Sequence, residues 1–261
     1  MSRTGIDAAG DPSAMARWLW QQHRRRAPFQ AIPNLATLAS AYDVQEHLVT
    51  LLSQHGQGRI AGYKVGLTSP RMQSLCNIDH PIAGAVLSKR VHQAPARVHA
   101  AAFGHLGIEC ELALKLGRRV RGEVTPERLG DSIEAIAAAF ELVDDRRADY
   151  ARLEVRTLVA DNSWNAGIVL GAPAPMRKLT GLRGALEVDG AEVDEGSSSD
   201  VLGDPLAAAA WLARHLDERG TALEAGQWVM TGSIVPTRFA GAGERYRFCL
   251  DSLPPVELLV Q

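Results

Sequence analysis

Between Gly107 and Lys115 the residues Gly-Ile-Glu-Cys-Glu-Leu-Ala-Leu-Lys alternate with a period of two, the pattern of a half-buried strand. Side chains two apart on a strand share a face, so Ile108, Cys110, Leu112 and Leu114 point one way and Glu109 and Glu111 the other. Two carboxylates side by side repel unless a cation lies between them, and a divalent metal with oxygen ligands is the commonest answer. A solvated face on an edge strand accounts for the same pattern. The pair alone leaves both readings open.

A chain of 261 residues holds one large or two small domains, with length enough for a core. Its net charge of -2 offers no electrostatic argument for nucleic acid or an anionic membrane, and neither is expected as a partner. No stretch approaches the apolar length of a membrane span, and Met1 to Pro12 lacks the apolar core of a signal peptide. The three cysteines, Cys76, Cys110 and Cys249, are odd in number and widely spaced, so neither a disulfide framework nor a zinc knuckle is implied. The cytoplasm is the expected compartment.

Helices are expected over Ser13–Arg26, over Tyr42–Ser53, in a short piece opened by Ser69-Pro70, over Pro126–Ala138, and from Asp204-Pro205 to a stop at Gly220. Strands are expected at Ile60–Leu67 (carrying Lys64), 107–116, Phe140–Val143, within Leu158–Gly171, at Leu182–Val188, Trp228–Thr231, Tyr246–Leu250 and Val256–Val260. Helices first and then a β-rich portion argue for an α+β fold, divided into an N-terminal helical portion over 1–97 and a β-rich catalytic core over 98–261. Neither a dinucleotide fingerprint nor a Walker sequence is present, no histidines have metal-ligand spacing, and there is no nucleophile elbow.

Lys64 interrupts an apolar strand, so it either snorkels to solvent or serves an anionic site. Partial desolvation beside a metal would lower its pKa; unneutralised carboxylates beside it would raise it. Asp79, in Asn77-Ile-Asp-His-Pro81, reads by itself as a turn residue before proline.

Six segments carry a resemblance. They are Gly62-Tyr-Lys-Val-Gly-Leu-Thr-Ser69, Gly107-Ile-Glu-Cys-Glu-Leu-Ala113, Phe140-Glu-Leu-Val-Asp-Asp-Arg146, Asp161-Asn-Ser-Trp-Asn-Ala-Gly167, Val201-Leu-Gly-Asp-Pro205 and Met230-Thr-Gly-Ser233. In this order, from about Tyr42 to Phe248, the chain resembles the 2-keto-4-pentenoate hydratase and 2-oxohex-3-enedioate (4-oxalocrotonate) decarboxylase family of the fumarylacetoacetate hydrolase superfamily. The resemblance implies a mixed β-sandwich or roll with peripheral helices, and a homo-oligomer. It implies Mg2+ or Mn2+ held by Glu109, Glu111 and Glu141, with Lys64 in the active site and Asp79 as a second proton carrier. Ser163 and Ser233, with the turn Thr231-Gly232, would hold the carboxylate of a small 2-oxo or 2-hydroxy unsaturated acid. Hydration of a 2-hydroxyalka-2,4-dienoate to a 4-hydroxy-2-oxoalkanoate, in meta-cleavage catabolism of aromatic compounds, is the expected reaction. Decarboxylation of a 2-oxo-3-enedioate is the nearest rival, and a non-catalytic paralogue that binds a 2-oxo acid or supports a partner enzyme is the other.

The chain departs from the family pattern at Pro81-Ile-Ala-Gly84, where many members have Pro-Asp-Phe-Gly, and at Asp144-Asp145, where a serine before arginine is common. The His/Glu dyad expected of the carbon–carbon hydrolases is not found. Arg71, Arg146 and Arg238 are the candidate receptors for a distal substrate carboxylate.

Overall fold

Alternating and continuous apolar runs, punctuated by turns, build two mixed sheets with helices around them in the computed structural model, which describes residues 10–261. Met1–Ala9, which make up most of the segment read for a signal peptide, lie outside the described residues. In chain order the elements are α1 (Pro12–Arg25), α2 (Leu38–Leu52), β1 (Ile60–Gly66), α3 (Pro70–Leu75), β2 (Ile82–Leu87), β3 (Val91–Gln93), β4 (Ala96–Val98) and β5 (Leu106–Leu116). They continue with α4 (Pro126–Gly130), β6 (Ile133–Asp144), α5 (Val155–Ala160), β7 (Asn165–Leu170), β8 (Arg183–Val188), β9 (Ala191–Ser197) and α6 (Pro205–Glu218). The chain closes with β10 (Trp228–Ser233), β11 (Arg238–Phe239), β12 (Arg245–Leu250) and β13 (Val256–Val260).

The larger sheet runs β2-β1-β10-β5-β6-β7-β3, with β11 also paired to β5; the smaller runs β4-β13-β12-β8-β9. The α+β architecture matches the expectation. Strand β1 pairs in parallel with β10, so hydrogen bonds of one sheet cross residue 97. The apolar face of β5 (Ile108, Cys110, Leu112 and Leu114) is fully buried, each large aliphatic side chain contributing about 2 kcal/mol. Phe140 of β6 meets Phe248 of β12 with ring centroids 6.3 Å apart, joining the two sheets. No helix among the described residues is long and apolar enough to cross a membrane.

Two local expectations are corrected. The helix expected over Pro126–Ala138 ends at Gly130, and strand β6 begins at Ile133. Alanine at 135 and 137–139 favours a helix on its own, but β6 lies between β5 and β7 and pairs with both, and tertiary pairing overrides propensity. Within Leu158–Gly171 the strand starts only at Asn165, because residues 155–160 form α5, capped by Glu154 accepting from Thr157 N. Short apolar runs do not distinguish the two states. Strands β2, β3, β4, β9 and β11 had no counterpart among the expectations.

The larger sheet curls until β2 approaches β7, and side chains fill the seam. Strand β2 is an edge strand, and its outward backbone groups at Ala83 and Ala85 are paired without another strand. Tyr42 Oη accepts from Ala83 N at 3.0 Å; Gln45 Nε2 and Ser163 Oγ both donate to Ala83 O at 2.9 Å. The Asn162 amide closes on Ala85, accepting from its N at 2.7 Å and donating to its O at 2.8 Å.

Candidate metal centre

Register brings the acidic residues together. Glu109 on β5 lies directly opposite Glu141 on β6, and Glu111 lies opposite Ala139 on one side and Ser233 of β10 on the other. One carboxylate oxygen from each of Glu109, Glu111 and Glu141 falls within 4.8 Å of the others. The face they occupy is the interior of the curled sheet, floored by Val86, Ala113, Ala139, Ile168, Leu170 and Met230. Glu111 and Glu141 are 0% exposed and Glu109 is half-buried, so the pair is no wet strand face.

Each carboxylate has one oxygen held by a neutral hydrogen-bond donor of the protein. Thr237 Oγ1 donates to Glu109 Oε1 at 2.5 Å, Gly232 N to Glu111 Oε2 at 2.9 Å, and Asn165 Nδ2 to Glu141 Oε1 at 2.8 Å. Lys64 Nζ forms an ion pair with Glu141 Oε2 at 3.3 Å. Beyond that ion pair, Glu141 Oε2 has no hydrogen-bond partner, and Glu111 Oε1 has none at all. Buried acceptors are seldom left so. With all three ionised, the carboxylates would outnumber the single ammonium by two negative charges at a largely buried site, the complement of a divalent ion with oxygen ligands. The residues present fit that ion.

The titration directions say the same. Burial, then repulsion from Glu141 and Glu109, pushes the Glu111 carboxyl well above the usual carboxylate range. Burial also raises Glu141, against the pull of Lys64. For Lys64, burial alone would lower the pKa, but attraction to Glu141, Glu109 and Glu111 outweighs it and holds the ammonium above its ordinary value. Without a metal, the carboxylate-dominated alternative for Lys64 is the one realised.

The cluster opens into a cavity of about 380 Å³ lined by Lys64, Glu109, Ser163 and Ser233, with a mostly apolar wall that includes Ile82, Val143, Leu153, Leu158, Trp164 and Val235. Of the expected residues, Thr231 is fully buried, its hydroxyl donating to Leu112 O, and Gly232 serves Glu111. Ser233 Oγ donates to Val235 O at 2.6 Å. Asp79 is exposed in the connection between α3 and β2 and does not line the cavity. Among the three arginines, Arg71 lines the cavity. Arg146 is buried against Asp161 and Ala27 O, and Arg238 is exposed on β11.

Ser163 reaches the cavity on an unusual backbone. Asn162, Ser163 and Trp164 have φ of 53°, 49° and 60°, three left-handed residues in succession. Each costs about 1–2 kcal/mol, and such strain persists where surroundings over-determine it. Here the Asn162–Ala85 hydrogen bonds do so, with Asp161 held by Arg146 and His23. Asn162, Asn165 and Thr237 were not singled out by sequence reasoning. The two asparagines lie in a recognised segment, but Thr237 carries no local signal.

Gly84, in the divergent Pro81–Gly84 segment, packs beneath this turn: a Cβ there would lie 2.7 Å from Asn162 O and 3.3 Å from Lys64 Cγ. Gly84→Ala is expected to cost about 2 kcal/mol, the usual scale of overpacking. A melting temperature within 1 °C of wild type, on the order of experimental error, would count against this packing.

A model of the fumarylacetoacetate (FAA) hydrolase C-terminal family matches residues 80–261. The chain is 35% identical over 227 residues to a 2-keto-4-pentenoate hydratase of Burkholderia vietnamiensis, covering 85% of this chain and 84% of the relative. It is 30% identical to a 4-oxalocrotonate decarboxylase of a Pseudomonas species, over 76% of this chain and 77% of that one. Among solved structures, 4-oxalocrotonate decarboxylase from Pseudomonas putida G7, complexed with magnesium and adipate, superposes with a TM-score of 0.90 at 25% identity, covering 96% of this chain and 97% of that one. With its acidic cluster, its fold and these likenesses, the chain belongs to the fumarylacetoacetate hydrolase C-terminal family, in the branch that holds 2-keto-4-pentenoate hydratases and 4-oxalocrotonate decarboxylases.

Proposed function

We propose that the protein is a divalent-metal-dependent hydratase that adds water to a 2-hydroxyalka-2,4-dienoate to give a 4-hydroxy-2-oxoalkanoate. The observation that carries this reading is the trio Glu109, Glu111 and Glu141, with orphaned buried oxygens on Glu111 and Glu141, beside a cavity lined by Glu109 and Lys64. Those three residues would hold Mg2+ or Mn2+, which when bound supplies Lewis acidity toward the carboxylate and adjacent oxygen of a 2-oxo acid. Lys64, buried beside these carboxylates and lining the cavity, would exchange a proton with the substrate or orient its anionic end. The apolar wall keeps bulk water from the reacting carbons and accepts the hydrocarbon tail.

Ser163 and Ser233 line the same cavity, and each hydroxyl would reach a substrate carboxylate by giving up its present carbonyl acceptor. Asp79 would act as second proton carrier only if the α3–β2 connection moves inward. We extend the reading to meta-cleavage catabolism of aromatic compounds, a cytoplasmic location and a homo-oligomeric assembly.

Arg71 favours a second reading. It lines the cavity and has no ion pair or side-chain hydrogen bond among the described residues, so it could receive the distal carboxylate of a 2-oxo-3-enedioate, the substrate type of a decarboxylase. Incubation with Mg2+ and either 2-hydroxypenta-2,4-dienoate or 2-oxohex-3-enedioate separates the two. Hydrated product without carbon dioxide is expected from the dienoate. Carbon dioxide from the dioate, with the dienoate untouched, would replace hydratase by carboxy-lyase. Tight binding of oxalate with Mg2+ but no turnover of either substrate would leave a binding paralogue.

A further inference from the structure

The three glutamates are not equally fixed. Glu111 and Glu141 are immobilised by complete burial, whereas Glu109 is half-buried and its carboxylate has one side-chain donor, the Thr237 hydroxyl at 2.5 Å. Thr237 is stitched to the strand that carries Glu109. Ile234 N donates to Cys110 O at 2.8 Å, Ala240 N to Leu106 O at 2.9 Å, and β11 pairs with Gly107 and Ile108. Gly107 leaves room for the threonine: a Cβ there would lie 3.0 Å from Thr237 Cγ2.

With Thr237, Gly232 and Asn165 each engaging one oxygen, Glu109 and Glu111 each keep a second oxygen free of the protein's hydrogen-bond donors, and the second oxygen of Glu141 meets only the Lys64 ammonium at 3.3 Å. An oxygen already accepting a short hydrogen bond is the poorer metal ligand. Calcium takes roughly six to eight oxygens at about 2.3–2.6 Å and readily uses both oxygens of a carboxylate, whereas magnesium demands a tight octahedron at about 2.0–2.1 Å.

From this geometry we infer that the three donors hold each glutamate to a single ligand oxygen and so select a small octahedral ion over calcium, with Thr237 the positioning residue for Glu109. The inference rests on the metal reading above. It adds to that reading a residue outside the ligand set and a preference among ions.

Isothermal titration of Mg2+, Mn2+ and Ca2+ into wild type, Thr237→Val, Thr237→Ser and Glu109→Gln tests it without reference to turnover. Loss of a hydrogen bond that orients a ligand typically weakens metal binding by about 10–100-fold. Thr237→Val is therefore expected to weaken Mg2+ and Mn2+ about tenfold or more while Ca2+ holds or tightens. Thr237→Ser, which keeps the hydroxyl, is expected to preserve the wild-type preference. Gly107→Ala, whose Cβ would crowd the threonine methyl and push the side chain with its hydroxyl away from Glu109, provides a second route to the same change in preference should the valine variant not fold.

An unchanged Mg2+-to-Ca2+ preference in Thr237→Val and Gly107→Ala, with Glu109→Gln impaired, would overturn the role of Thr237 and leave the metal site standing. Wild-type affinity for every ion in Glu109→Gln would overturn the metal reading itself, and this inference with it.

Discussion

Glu111→Gln is expected to lower metal-dependent turnover about a thousandfold or more, while leaving the metal-free protein as stable as wild type or more so. The first half follows from the ion's contribution: Lewis-acid stabilisation of several kcal/mol is lost at about 1.4 kcal/mol per factor of ten. The second half follows from the sign of the local electrostatics. Glu111 is fully buried, and burial together with Glu141 and Glu109 already disfavours its charged form. A neutral amide removes that repulsion and can still accept from Gly232 N, which donates to the carboxylate at 2.9 Å. Thermal denaturation with and without Mg2+ reads both halves. The metal-free melting temperature should hold or rise, and the upward shift that saturating metal produces in wild type should vanish. A variant that keeps full metal-dependent turnover would sink the assignment of Glu111 as a ligand.

Lys64→Met should behave in the opposite sense. Lys64 is 5% exposed and supplies the ammonium that lies 3.3 Å from Glu141. Removing one partner of a buried ion pair leaves the other uncompensated and typically costs about 3–5 kcal/mol. For a chain of this size that is roughly a 10 °C fall in melting temperature, measured without metal. Because a bound divalent ion neutralises the same carboxylates and binds the folded state, saturating Mg2+ should restore much of the loss. Turnover should remain impaired even then, since the lysine amine is gone from the cavity. Equal melting temperatures for variant and wild type in chelator would show that Lys64 does not compensate the acidic cluster. The two variants form a paired test, one raising metal-free stability or leaving it unchanged and the other lowering it, and only the proposed charge arrangement predicts both signs.

The correct and the mistaken expectations have different physical origins. Asp204-Pro205 was legible as a helix start because capping is local: Asp204 Oδ1 accepts from Leu206 N at 2.9 Å, as its chemistry dictates. The alanine-rich stretch before Phe140 was illegible for the converse reason, since its partners, β5 and β7, come from distant parts of the chain. Gly232 was expected to present its N–H to a substrate anion; that donor is engaged by Glu111, a contact formed 121 residues away in sequence. Arg71 could not be told from Arg146 until the buried Asp161 was seen to hold the latter.

By itself, the sequence determined that Glu109 and Glu111 share one face of a strand, and the ordered segments added Lys64 and Glu141 to them. Side-chain alternation is a property of neighbouring residues and survives any fold that keeps the strand. Whether that face is wet or dry was decided only by tertiary structure. Strands β10 and β6 flank β5, the sheet curls inward, and register sets Glu141 opposite Glu109. Desolvation then turns two adjacent carboxylates from a tolerable surface pair into a buried negative cluster that a divalent ion would neutralise. The same long-range pairing brings Thr237 onto Glu109, a contact that no local pattern encodes.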